Sequence, residues 1–153
     1  MIVIDGRRAT FMVAHTFSCS PDVLWTWLTE PHLVARWVRA DVHMAEPFMR
    51  GTERTVTIRL GPLPVQKLRE VITAVDRPRG FSYRGLSFEG HEGQVAVRTT
   101  LAGCELRWKA GFEAPHRLLA WPLARYVCMQ MADSFARLAR LITRAESSPL
   151  AAQ

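Results

Sequence analysis

Long hydrophobic runs are missing from this sequence, and with them the roughly 20 consecutive apolar residues that a membrane-spanning helix requires. Met1–Ile4 is a short apolar opening that runs into Asp5, Arg7 and Arg8. A signal peptide places its positive charge first and a longer apolar stretch after it, so a cytoplasmic location is expected. Cysteine is scarce. Cys19, Cys104 and Cys128 make an odd set with no C-x-x-C pair, which points to buried or idle thiols rather than a disulfide framework. The histidines at 15, 32, 43, 91 and 116 contain no H-E-x-x-H and no close pair, so no metal site is expected. A G-x-S-x-G elbow and the common phosphate loops are absent too, and no cofactor is expected.

Lysine is nearly absent, with Lys67 and Lys109 alone, so arginine supplies almost all of the net charge of +6. That charge is spread along the chain, and Arg7-Arg8 is its longest run. Dense clustering, the footprint of nucleic-acid binding, is lacking; a solvated arginine-rich surface with no specific nucleic-acid partner is expected.

What remains is ordinary for a globular domain: 153 residues, 48% apolar and 22% charged. The whole of 1–153 reads as one domain, with a core over about 9–144 and a tail from 145. Residues 9–17 alternate, with Phe11, Val13, His15 and Phe17 on one face, which is a strand signature. Ser20-Pro21-Asp22 is a helix start, with serine as cap and proline at the first position. That helix carries Val23, Leu24, Trp27 and Leu28, and Pro31 opens a second that buries Leu33, Val34 and Trp37. From Gly51 the pattern changes. Five β-rich runs follow: 52–60, 65–75, 81–87, 94–101 and 104–112, separated by Gly/Pro/Asp-rich turns. Hairpin-length connections predict an antiparallel meander.

After Pro115 the period becomes helical. Leu123, Val127, Gln130, Met131, Ser134, Phe135, Leu138, Leu141 and Ile142 share a face, and Arg125, Arg137, Arg140 and Arg144 fall largely on the other. Pro122 is expected near the helix start, with 116–121 a separate turn or kinked lead-in. The prediction is an α+β domain with about six strands, two short helices after the first strand, and a long last helix lying on the sheet.

This order resembles the helix-grip fold of the START-like (SRPBCC) superfamily, in particular its polyketide cyclase/dehydrase-like members. The segments that carry the resemblance are Phe17–Trp25, Leu33–Trp37, Asp76–Arg84 and Gly103–Phe112, and it spans about residues 9 to 144. It implies a curved sheet and a helix enclosing a cavity for a lipid, polyketide or aromatic ligand. It names no reaction, because the superfamily has no common catalytic motif.

Alternation turns His15 and Tyr83 inward as polar tips, able to orient a ligand or simply to satisfy backbone or water. Trp108 alternates with Leu106, Ala110 and Phe112, and serves as core filler or cavity wall. Tyr126, Gln130 and Ser134, at steps of four beside Val127 and Met131, form a polar streak that suits a ligand-filled space better than a dry core. The expected ligand-binding wall is therefore His15, Tyr83, Val95, Val97, Leu106, Trp108, Tyr126, Val127, Gln130, Met131 and Ser134. Glu70 is a candidate buried acid, though its strand carries apolar residues on both faces. Three readings follow: a binder or carrier of a hydrophobic small molecule, a cyclase, aromatase or dehydratase built on His15 with Tyr83 or Glu70, and a basic module for protein or RNA. Oligomeric state leaves no mark on the sequence.

Overall fold

Hairpins dominate the chain. The computed structural model describes residues 1–44, 47–58 and 66–148. In chain order the elements are β1 (Ile2–Asp5), β2 (Arg8–Phe17), α1 (Pro21–Thr29), α2 (Pro31–Val38) and β3 (Asp41–Met44). Then come β4 (Glu53–Ile58), β5 (Gln66–Asp76), β6 (Gly80–Gly85), β7 (Glu92–Thr100), β8 (Gly103–Glu113) and α3 (Arg117–Glu146). The strands form one sheet in the order β1-β2-β8-β7-β6-β5-β4-β3, antiparallel at every pairing.

The sheet has eight strands rather than the expected six. Both additions, β1 and β3, are four-residue strands at the sheet's two edges. Four residues are too few for alternation to stand out, and in β1 only Ile2 is even half-buried. The expected turn at 61–64 lies outside the described residues.

Local chemistry sets the helix boundaries. The Ser20 hydroxyl accepts from the Val23 amide at 3.3 Å, with Pro21 at the first helical position. The Trp37 indole donates to the Trp27 carbonyl at 2.9 Å and ties α1 to α2. Helix α3 starts at Arg117, not near Pro122: His116 caps it, its ring nitrogen accepting from the Leu118 amide at 3.2 Å. Pro122 is tolerated inside because the carbonyl it deprives is that of Leu118, on an outward turn where that residue is 74% exposed. Arg137 is likewise not on the outer face. It is partly buried and donates to the Trp37 carbonyl at 2.5 Å, closing the end of α2.

The core runs between the sheet's concave face and the helices. Leu24, Ile72, Leu106, Leu138 and Cys104 are its most deeply buried large side chains. Cys19 and Cys104 are buried free thiols, and burial pushes the Cys19 thiol up to about 12, so it stays protonated and unreactive. Helix α3 packs chiefly on β2 and also on α2 and β1. It therefore leans toward one side of the sheet and stands off from the middle strands.

Candidate ligand-binding cavity

The space left under α3 is a cavity of about 660 Å³. Its sheet wall includes Phe11, Tyr83, Val95, Leu106, Trp108 and Ala110, and its helix wall is Tyr126, Val127, Gln130, Met131, Ser134 and Phe135. Of the wall expected from the sequence, Tyr83, Val95, Leu106, Trp108, Tyr126, Val127, Gln130, Met131 and Ser134 meet here. His15 and Val97 do not line it. His15 does share the inner face of β2, opposite Leu106 in register, but α3 packs onto β2, and the histidine sits half-buried beside Phe17 with ring centroids 4.9 Å apart. Val97 is buried farther along β7. A shallower depression of about 420 Å³ lies elsewhere, between Thr16–Ser18, Thr100, Ala102 and the C-terminal half of α3.

One end of the cavity carries charge. Arg54 and Glu70 are register partners across β4 and β5, and the Arg54 Nε donates to Glu70 Oε2 at 2.6 Å. Both side chains are nearly out of solvent, 12% and 7% exposed. Removing two charges from water is costly, and a close charge-assisted hydrogen bond offsets that cost. The guanidinium also lies 5.3 Å from the Tyr83 ring centroid and 5.7 Å from that of Phe81, a cation–π arrangement on two faces. His91, just before β7, places Nε2 3.8 Å from Glu70 Oε1 and stacks on Phe88 at 4.5 Å. Tyr83 accepts a hydrogen bond from the Trp108 indole at 2.9 Å, which leaves its own hydroxyl proton to donate. Burial, with Glu70 adding to it, raises the Tyr83 hydroxyl above its ordinary range, so it remains a neutral donor at any physiological pH.

Two glycines make room for these rings. A Cβ on Gly93, the cross-strand partner of Tyr83, would stand 2.2 Å from the Tyr83 ring. A Cβ on Gly85 would stand 2.0 Å from His91 Nδ1. Each ring lies flat against backbone that any side chain would obstruct.

The sequence singled out Glu70 without fixing its side, and β5 points it inward, 5% exposed. The histidine that stands with Tyr83 and Glu70 is His91, not His15. Arg54 was not anticipated. Its signal was the alternation of Arg54 with Val56 facing Glu70 and Leu68, but the hairpin register needed to pair them depends on the connection between β4 and β5.

Burial lowers the His91 pKa from its ordinary 6.5, Glu70 opposing and Arg54 reinforcing the shift. A histidine held neutral in the fold takes up its proton more readily in the unfolded chain, so its contribution to stability is complete above pH 6.5. That contribution is lost as pH falls from 6.5 toward the lowered folded value. Urea midpoints measured from pH 7 to pH 5 are expected to fall, and His91→Gln is expected to flatten that part of the profile. A variant profile parallel to wild type would contradict this.

A family model described as "Polyketide cyclase / dehydrase and lipid transport" matches residues 8–143. The chain belongs to this family. The expected helix-grip architecture of the polyketide cyclase/dehydrase family is confirmed, and solved structures agree with it. A protein from Mesorhizobium loti superposes with a TM-score of 0.71 at 21% identity, covering 88% of this chain and 97% of its own. A protein of unknown function from Staphylococcus aureus gives 0.76 at 9% identity, covering 94% and 99%. The protein Ara h 8.0201 gives 0.68 at 16% identity, covering 90% and 99%. These likenesses establish fold and nothing finer. No curated protein matches the sequence. Among the described residues no three His, Cys, Asp or Glu side chains converge as a metal site, and no helix is long and apolar enough to cross a membrane.

Proposed function

We propose that this domain binds a hydrophobic small molecule, of lipid, polyketide or aromatic type, in the cavity under α3, oriented by polar groups at the Arg54–Glu70–His91 end. The observation that carries this reading is the cavity itself. About 660 Å³ of space with mainly apolar walls and one charged end has the size and composition of small-molecule sites generally. A dry core would be filled by side chains, since empty apolar space forfeits packing contacts. The family description points the same way.

Ser134→Phe tests it. Ser134 lines the cavity at 7% exposure, and a phenyl ring there occupies space that a ligand would use. Titration of an apolar fluorescent probe is expected to show at least a tenfold loss of affinity, with thermal stability nearly unchanged. Equal binding by both proteins would place the probe elsewhere and remove this cavity from the reading. Native mass spectrometry of the freshly purified protein would show a retained molecule directly.

A second reading, acid–base catalysis on a polyketide-like substrate, is favoured by one observation. Glu70 and the neutral-leaning His91 stand within 3.8 Å of each other beside a hydroxyl donor, Tyr83. A bound molecule recovered chemically unchanged after incubation would favour carriage, and a changed one would favour the enzyme.

A further inference from the structure

The outward side of α3 changes character along its length. Toward the C-terminus that side carries Asp133, Arg140 and Arg144, an ordinary solvated surface. In the N-terminal half it carries Leu118, Leu119, Leu123, Tyr126 and Met129, exposed by 74, 46, 37, 44 and 55%. At 100° per residue Leu118, Tyr126 and Met129 lie opposite the buried Ala120, Ala124 and Leu138, and Leu119 and Leu123 extend this exposed apolar surface along one flank toward the buried side. Trp121, 53% exposed, borders this face, with the Arg125 guanidinium 5.6 Å from its ring centroid. A monomer in water gains nothing from such a face.

Two further observations say what covers it. From Ala114 to Ala132 there is no acidic residue, and the full charges are Arg117 and Arg125. The face is thus apolar with cationic and aromatic flanks, the composition of helices that lie in a lipid–water interface. A twofold contact with a second copy would instead set these arginines near their counterparts, with no acid in the segment to offset them. The second observation is continuity with the cavity. Tyr126 is exposed and also lines it, as does Phe88 on the sheet side.

We propose that the N-terminal half of α3 is a docking surface for an anionic lipid bilayer, seated by Leu118, Leu119, Trp121 and Met129 and held by Arg117 and Arg125. Docked in this way, the protein presents the exposed rim of its cavity to the lipid. The attachment is peripheral and depends on salt, because exposed arginines act on headgroups through a screened field.

Vesicles provide the test. Phosphatidylcholine vesicles with about one-third phosphatidylglycerol are expected to bind the full chain at least tenfold more tightly than pure phosphatidylcholine. Trp25, Trp27, Trp37 and Trp108 are all buried, so Trp121 reports the contact. Its emission should shift to the blue on binding, and Trp121→Phe should abolish the shift. Leu118→Ser with Leu119→Ser should weaken binding by more than tenfold. Arg117→Gln with Arg125→Gln should erase the preference for phosphatidylglycerol. All five positions are exposed, so unchanged thermal midpoints separate these effects from unfolding. Ser134→Phe should still bind vesicles, which keeps this proposal distinguishable from failure of the cavity reading. Absence of binding to the anionic vesicles would overturn it. So would burial of Trp121 in lipid-free dimers, seen by sedimentation and abolished by the serine substitutions.

Discussion

Replacing Glu70 by alanine is expected to lower the free energy of unfolding by about 3–5 kcal/mol, as removal of one member of a buried ion pair does. Most of that loss would come from the partner left behind. Arg54 is 12% exposed and its Nε hydrogen bond is to Glu70. Without the carboxylate its charge would stand at the cavity wall with two aromatic rings for company, and rings replace an anion poorly. The paired substitution Arg54→Met with Glu70→Leu is therefore expected to recover most of the stability, since apolar groups of similar volume commonly replace a buried pair at little cost. Chemical denaturation of wild type, Arg54→Met, Glu70→Leu and the double variant forms a complete cycle, with Glu70→Ala measured beside it. A double variant as unstable as Glu70→Ala would show that the pair contributes beyond its own neutralisation. Recovery of stability with loss of probe binding would assign the pair to the ligand.

Leu138→Ala is expected to cost about 3–4 kcal/mol, within the range for deeply buried leucines that leave a cavity behind. Leu138 has no solvent exposure, and it sits where α3 seats on the sheet, one turn beyond Ser134 and Phe135. Thermal unfolding followed by circular dichroism would measure the loss. A cost below about 1 kcal/mol would mean that α3 settles onto the sheet freely and closes the space left behind.

The sequence made the architecture legible because each inner strand carries one buried face. Tyr83 between Phe81 and Gly85, and Trp108 between Leu106 and Ala110, were placed by period alone, and the register of β6 to β8 agrees. The two edge strands escaped because one turn of alternation is not a pattern. At the cavity, what was legible followed from which side of an element a residue occupies. What was not legible depended on where along the element the helix crosses. His15 satisfies the first condition and fails the second, since α3 packs on β2 and the cavity opens chiefly over β4 to β8. Arg54 and His91 were hidden for a different reason. One required a hairpin register and the other a turn geometry, and neither is written in the local spacing of residues.

The pairing of β2 with β8 has a consequence for the order in which the molecule assembles. Phe17 stands opposite Cys104, and Arg8 opposite Glu113, so more than half of the chain lies between partners. During synthesis β2 is made well before β8 and remains without this neighbour until β8 has been made. The hairpins from β3 to β8 close locally, but the seam between first and last long strands closes across a very large loop, the slowest kind of contact to form. Until then β2 offers an open strand edge with Phe11 and Phe17 uncovered, and α3, which seats on β2, has no floor. Pairing of β2 with β8 and seating of α3 are thus coupled, and a nascent chain halted before β8 would be the form most prone to self-association.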